Sequence, residues 1–154
     1  MTMRHQRSAS VAKISSFVKP TEHMSVPIDI EKQFAYWVAG SDEDIAAAKS
    51  LVEKGHLRHG FFFAELALEK ALKALVVRTT RDYPPRTHDL LHLAQLAKVA
   101  LSEEQKRFLA RCQQYCFEGR YPGYEPPMAS RFEADRLVKE AEEGVLWLKN
   151  LSKQ

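Results

Sequence analysis

An all-α, up-and-down bundle of about five helices is what this sequence predicts, on three observations. The run FFFAELALEKALKALVV from Phe61 to Val77 sets Phe61, Ala64, Leu68, Leu72 and Leu75 three or four positions apart, the spacing of one helical face. Ser102 with Gln105, and Ser130 with Glu133, are two capping boxes that open further helices. No stretch alternates apolar and polar residues as a half-buried strand does, and no segment repeats.

Residues 1–28 are polar and aperiodic, with Pro20 and Pro27 and no apolar face, and read as a flexible basic tail ahead of a bundle over 29–154. A basic arm that touches RNA or a partner is the alternative reading of this tail, and Met24 is an alternative translation start. Helix one is expected over 31–54, with Phe34, Trp37, Val38, Ile45, Ala48 and Val52 on one stripe. Gly40-Ser41 interrupts that stripe and predicts a kink, Ser41 with Asp44 acting as a second cap. Gly55 ends the helix.

Helix two is expected over 58–79, stopped by Pro84-Pro85, with Glu69 and Lys73 paired at i and i+4 on its polar side. Thr87 then caps a third helix over 88–99, and a fourth runs from the Ser102 box to about residue 117. Residues 119–127, with Gly123 and three prolines, form a loop. The fifth helix follows Ser130 and turns Phe132, Leu137, Ala141, Val145 and Leu148 inward.

The formal charge of +3 has an uneven origin. Arg4, Arg7, Lys13 and Lys19 against Glu22 account for all of it, and the body from Asp29 onward is balanced at 19 basic and 19 acidic residues. A broad basic surface for nucleic acid is therefore not predicted, whereas a local patch is. Lys70, Lys73, Arg78, Arg81 and Arg86 face only Asp82 and Asp89 in their stretch. No apolar run approaches the roughly 20 residues of a membrane span, and no apolar signal core stands at the N-terminus, so a cytoplasmic protein is expected. Cys112 and Cys116 sit one helical turn apart, where disulfide geometry is poor, and read as core thiols. His88 and His92 have a zinc-compatible spacing but no evident third ligand, and His56 and His59 read as solvent-facing, so no metal and no cofactor is expected. The Phe61-Phe62-Phe63 triplet must splay around its helix, which turns at least one ring toward helix one or toward a dimer surface.

Short connections favour antiparallel neighbours. On that rule the end of helix two, the start of helix three and the end of helix four share one pole, and Arg78, Arg81, Arg86, His88, Arg120 and Tyr121 gather there. Guanidinium groups grip phosphate in a bidentate fork, imidazole can exchange a proton with a ribose hydroxyl, and a helix N-terminus supplies backbone donors. The cluster suits phosphodiester handling. Its structural alternative is a cap at His88 and an Arg120–Asp89 ion pair that merely pins the pole.

The helix motif A-L-E-K-A-L-K-A-L, the turn Thr87-His88-Asp89-Leu90 and the later Arg120-Tyr121-Pro122, in this order, resemble the marks of the HEPN domain over about residues 34–151. The resemblance implies a helical bundle that binds nucleotide or RNA, with Arg78, Arg86, Arg120 and Tyr121 on the phosphate. It also implies a homodimer and a partnership with a minimal nucleotidyltransferase in a toxin-antitoxin-type pair. Many ribonucleases of the wider superfamily carry Arg, four to six spacers, then His. Arg81 and His88 fit with six, although Pro84-Pro85 lies between them and Leu90 stands where several active toxins have Tyr. The alternative function is thus a metal-independent ribonuclease with His88 as general acid/base and Arg81 or Arg120 stabilising the developing charge.

Overall fold

The computed structural model describes residues 27–118 and 130–153, with the side chains of residues 116–118 left aside. The expectations placed on residues 1–26, on Arg120 and Tyr121 and on the loop around Gly123 lie outside the described residues. Five α-helices make up the described chain: α1 (Ile30–Glu53), α2 (Leu57–Thr80), α3 (Leu90–Leu96), α4 (Glu103–Glu118) and α5 (Arg131–Leu151). The all-α bundle read from the sequence is the fold.

Helix α2 is the hub, packing against each of the other four. Its predicted stripe of Phe61, Ala64, Leu68, Leu72 and Leu75 is buried, but so are Ala67, Ala71, Ala74, Val76 and Val77 on its flanks. A helix that is small or apolar nearly all round belongs at the centre of a bundle. Glu69 and Lys73, expected on a polar outer side, are buried with it, at 2% and 6% exposure. On α5 the inward set holds for Leu137, Ala141, Val145 and Leu148, whereas Phe132 in its first turn is 73% exposed. In the aromatic triplet Phe61 is buried against the Tyr115 ring at 5.0 Å, and Phe62 and Phe63 are half-buried, edge to face at 5.6 Å.

Helix α1 runs through Gly40-Ser41 without a break, so Ser41 does not act as a second cap there. Both residues serve close approach instead. The buried Ser41 hydroxyl donates to the Ala67 carbonyl of α2 at 2.7 Å, and a side-chain carbon at Gly40 would meet the Lys70 stem at 3.0 Å. One turn on, Asp44 holds the Lys70 ammonium at 2.6 Å. Gly55 takes the expected left-handed turn, φ 84°. Gly60 sits where α2 crosses back over α1, and a Cβ there would lie 2.3 Å from a Val52 methyl. Gly60→Ala gains about 1 kcal/mol of helix propensity, but overpacking against a buried valine costs about 1–3 kcal/mol. The clash wins, and urea unfolding of this variant should show a net loss of up to about 2 kcal/mol.

Both capping boxes form. Ser102 exchanges hydrogen bonds with Gln105, and Ser130 with Glu133. The Ser130 backbone N–H and then its hydroxyl hold the Glu133 carboxyl below its ordinary value of 4.5. A depressed carboxyl stabilises the fold at higher pH, so this cap contributes fully above pH 4.5 and is lost as acid protonates Glu133. Ser130→Ala is expected to lower stability by about 1 kcal/mol at neutral pH. The deficit should shrink in acid, which thermal melts at neutral and acid pH will measure. Cys112 is a core thiol as expected, pushed up to about 12 by burial, with Arg111 opposing only in part.

The direction of α3 is the detail that rearranges the site. The 81–89 connection doubles back along α2, so that α3 starts level with the middle of α2. It ends level with the end of α2, where the Thr79 hydroxyl donates to the Ala97 carbonyl at 3.2 Å. Helices α2 and α3 therefore run in the same sense, and α4 returns the opposite way, bringing Tyr115 to Phe61. Helix α5 lies antiparallel to α1, tied by Lys49–Glu142 at 2.8 Å and Lys149–Asp42 at 2.6 Å.

Candidate functional site

The residues predicted to share one pole are split along α2. Arg81 caps the end of α2 in a left-handed conformation, φ 57°, with its side chain exposed. His88 lies against Glu69, twelve positions earlier on the same helix, which is about 18 Å along the axis. Arg86, also exposed, stands in the connection between them. Arg78 is engaged within the fold: its guanidinium stacks 3.5 Å over the Phe34 ring, donates to the Ser152 carbonyl and pairs with Glu31 at 3.0 Å. It ties α1, α2 and α5 together. Arg120 and Tyr121 lie outside the described residues.

The start of α3 is two residues later than expected, for a local reason. The Thr87 hydroxyl accepts from the Asp89 N–H at 3.2 Å in a tight turn, and Asp89 is the residue that caps, accepting from the His92 N–H at 3.0 Å. The Gln113 side chain of α4 takes the Leu90 N–H at 3.3 Å. With those first amides already bonded, this helix start does not offer the open anion cradle expected of it. His88 sits ahead of the helix, outside its regular backbone, and from there it reaches α2.

What the structure brings together is a row of three groups. The two Glu69 oxygens are shared: Oε1 accepts from Lys73 Nζ at 2.7 Å, and Oε2 meets His88 Nδ1 at 2.8 Å. Lys73 Nζ also lies 5.2 Å from the centre of the Trp37 ring of α1, a cation–π contact that adds to its support in a dry setting. Glu65, one turn before Glu69, is buried as well, at 2%. His88 differs from these, its side chain being 61% exposed. A buried carboxylate thus fixes the inner nitrogen of a ring whose remaining surface faces solvent.

The chemistry of that arrangement follows from the inventory of donors. An ionised carboxylate only accepts, so His88 must donate from Nδ1, and in the neutral ring this leaves the lone pair on Nε2. A carboxylate that sets tautomer and orientation in this way prepares an imidazole for proton transfer or for accepting a hydrogen bond from a ligand. Among the described residues, no group of three or more His, Cys, Asp or Glu side chains is placed to hold a metal ion. Nor is any described helix long and apolar enough to cross a membrane.

Glu69 and Lys73 were not singled out for the site by the sequence, because an i, i+4 Glu–Lys pair usually decorates a solvated face. The signal was in their neighbours. Ala67, Ala71, Ala74, Val76 and Val77 leave α2 no polar side, so charges on it had to be internal.

Against known proteins, the HEPN domain model matches residues 34–151, most of the chain and all five helices but the first turn of α1. The chain belongs to the HEPN domain family. A crystal structure of a protein from Thermus thermophilus is similar over 77% of this chain and 97% of its own, at 21% identity and a TM-score of 0.67. A crystal structure of an archaeal HEPN homologue is similar over 77% and 96%, at 18% identity and a TM-score of 0.55. At these identities the two share the fold with this chain. No curated protein matches it. Within a HEPN bundle, the Glu69–His88 pair stands on the motif helix and on the Thr-His-Asp-Leu turn, two of the three marks that carried the resemblance.

Proposed function

We propose that this HEPN-domain chain binds a nucleotide or RNA on the face that presents His88, with Arg86 and Arg81 of the adjoining connection reaching the phosphates. The observation that carries this reading is the Glu69–His88 contact at 2.8 Å, with the ring held from beneath and open above. An exposed histidine with no ligand to meet would gain little from a buried carboxylate partner, and burying that carboxylate is costly. Membership of the family supports the ligand class. On the same footing, the chain acts as a homodimer and as the partner of a minimal nucleotidyltransferase in a toxin-antitoxin-type pair.

The same contact favours a second reading, a metal-independent ribonuclease. His88 Nε2 would take the proton of a ribose 2′-hydroxyl as it attacks the adjacent phosphorus, and an arginine would neutralise charge on the phosphoryl oxygens. The expected products are a 2′,3′-cyclic phosphate and a free 5′-hydroxyl.

Fluorescence anisotropy with a labelled single-stranded RNA and with ATP tests the first reading. Wild type should bind in a salt-dependent way, and Arg86→Ala should weaken binding and flatten the salt slope by about one phosphate contact. Equal binding by wild type, Arg86→Ala and His88→Ala would move the site elsewhere. The second reading is separated by incubating the protein with an RNA pool in EDTA. Cyclic-phosphate ends that vanish in His88→Ala support it, and intact RNA with wild type removes it.

A further inference from the structure

We propose that Tyr83 and Tyr36 are base-stacking residues of the His88 face, and that this face takes RNA with unpaired bases. The proposal deepens the reading above and rests on RNA being the ligand there. Exposed apolar side chains scattered singly need no explanation, but a concentration of them marks an interaction surface. Among the described residues, the large apolar side chains open to solvent are Tyr36, Tyr83, Leu91, Phe132 and Leu146. Phe132 and Leu146 belong to α5. The other three lie, by sequence or by contact, beside the row of Glu69, Lys73 and His88. Tyr83 is in the 81–89 connection, five residues before His88, and Leu91 is in the first turn of α3, three residues after it. Tyr36 meets the row from α1. Its ring stands edge to face with Trp37 at 5.3 Å, and Trp37 in turn stands against Lys73.

The side chains around these rings select a nucleic acid over a protein. Arg81, Tyr83, Arg86 and His88 are all exposed within eight residues of chain. That chain doubles back over about 18 Å of α2. Cations, an aromatic ring and an imidazole are thereby strung along a line, which suits a polyanion that carries planar bases. The acids of the same connection are engaged locally: Asp82 accepts from the Tyr83 N–H at 2.7 Å, and Asp89 caps α3 through the His92 N–H. The backbone under Tyr83 is also held in advance. The Asp82 N–H donates to the Thr80 hydroxyl at 3.3 Å, Pro84 and Pro85 follow with their fixed φ, and the Thr87 N–H donates to the Pro85 carbonyl at 2.9 Å. A surface ordered before binding loses little entropy on contact. Tyr36, at 67% exposure, and Tyr83, at 60%, keep most of their area free for a ligand. Stacking on them requires a base whose own face is open, as in a single strand and not within a duplex.

The test is fluorescence anisotropy on the full chain with three labelled probes: a single-stranded RNA, the same RNA annealed to its complement, and an abasic strand of equal length. Wild type should bind the single strand more tightly than the other two. Tyr83→Ala and Tyr36→Ala should each weaken single-strand binding by roughly 5- to 150-fold, the range for losing one stacked base. The salt slope should stay as in wild type, because no phosphate contact is removed. Tyr83→Phe and Tyr36→Phe should restore binding. Alanine variants that bind as wild type does, or a wild type that binds duplex or abasic strand as tightly as the single strand, overturn the proposal and leave the wider reading standing. Alanine variants that keep RNA binding but lose self-association in sedimentation make the rings a protein interface, and overturn it too. A wild type that binds none of the probes removes the functional reading, and this proposal with it. Should Tyr36→Ala disturb Trp37 and the fold, Tyr83→Ala, whose ring is carried on an exposed connection, decides alone.

Discussion

Replacing Glu69 by alanine should destabilise the chain by about 3–5 kcal/mol, because it leaves the buried Lys73 ammonium without its carboxylate. The magnitude follows from depth. Lys73 is 6% exposed, so water cannot replace the lost partner, and the Trp37 ring offers only part of the compensation. For a chain of 154 residues, each kcal/mol moves the melting temperature by roughly 2–4 °C, so a drop of roughly 6–20 °C is expected. Adding Lys73→Met to Glu69→Ala removes both charges and should recover a good part of the loss, since an apolar replacement of a buried pair is often neutral. Differential scanning calorimetry on the single and double variants measures the coupling. A double variant no more stable than Glu69→Ala would mean that Lys73 does not depend on Glu69.

Leu68→Ala is the second large effect, at about 2–5 kcal/mol. Leu68 is 1% exposed at the centre of α2, and its methyl reaches to within 3.1 Å of where a Gly144 side chain would begin, so α2 and α5 meet closely there. Collapse into the vacated space is limited by the helix backbones on either side, which favours the upper part of that range. The two variants separate stability from function. Leu68→Ala, measured well below its melting temperature, should keep the His88 face and bind RNA as wild type does. Glu69→Ala should lose binding even where it is fully folded, because nothing then fixes the ring.

The fold was legible in the sequence to within a residue or two at most helix ends, and the reason is that its signals are local. Capping boxes at Ser102 and Ser130, glycine at position 55 and the proline pair at 84–85 each act over a single turn of chain. The site was legible only in part. His88 stood out because a histidine in a polar turn is conspicuous. Its partner did not, because the contact depends on the 81–89 connection turning back along α2, a path that no residue pattern in the connection announces. The expected pole is met only in part for the same reason: the start of α3 does reach α4 near its end, through Leu90 and Gln113, but alternation of helix direction assumes short connections, and this one is long enough to place α3 parallel to α2 and so to leave the end of α2 apart. Arg78 illustrates a further limit. Its charge suggested phosphate, yet its position one turn before the end of α2 puts it within reach of Glu31, Phe34 and the chain near Ser152, and those contacts occupy it.

The central claim is that the face built on Glu69 and His88 receives the ligand. The most direct measurement is nuclear magnetic resonance of the labelled chain titrated with a short single-stranded RNA and, separately, with ATP. Shifts should concentrate on the His88 ring, the amides of residues 82–89 and the Trp37 indole, and should be lost in Glu69→Gln. Shifts centred instead on the opposite side of the bundle, between α1 and α5 around Lys49 and Glu142, would contradict it.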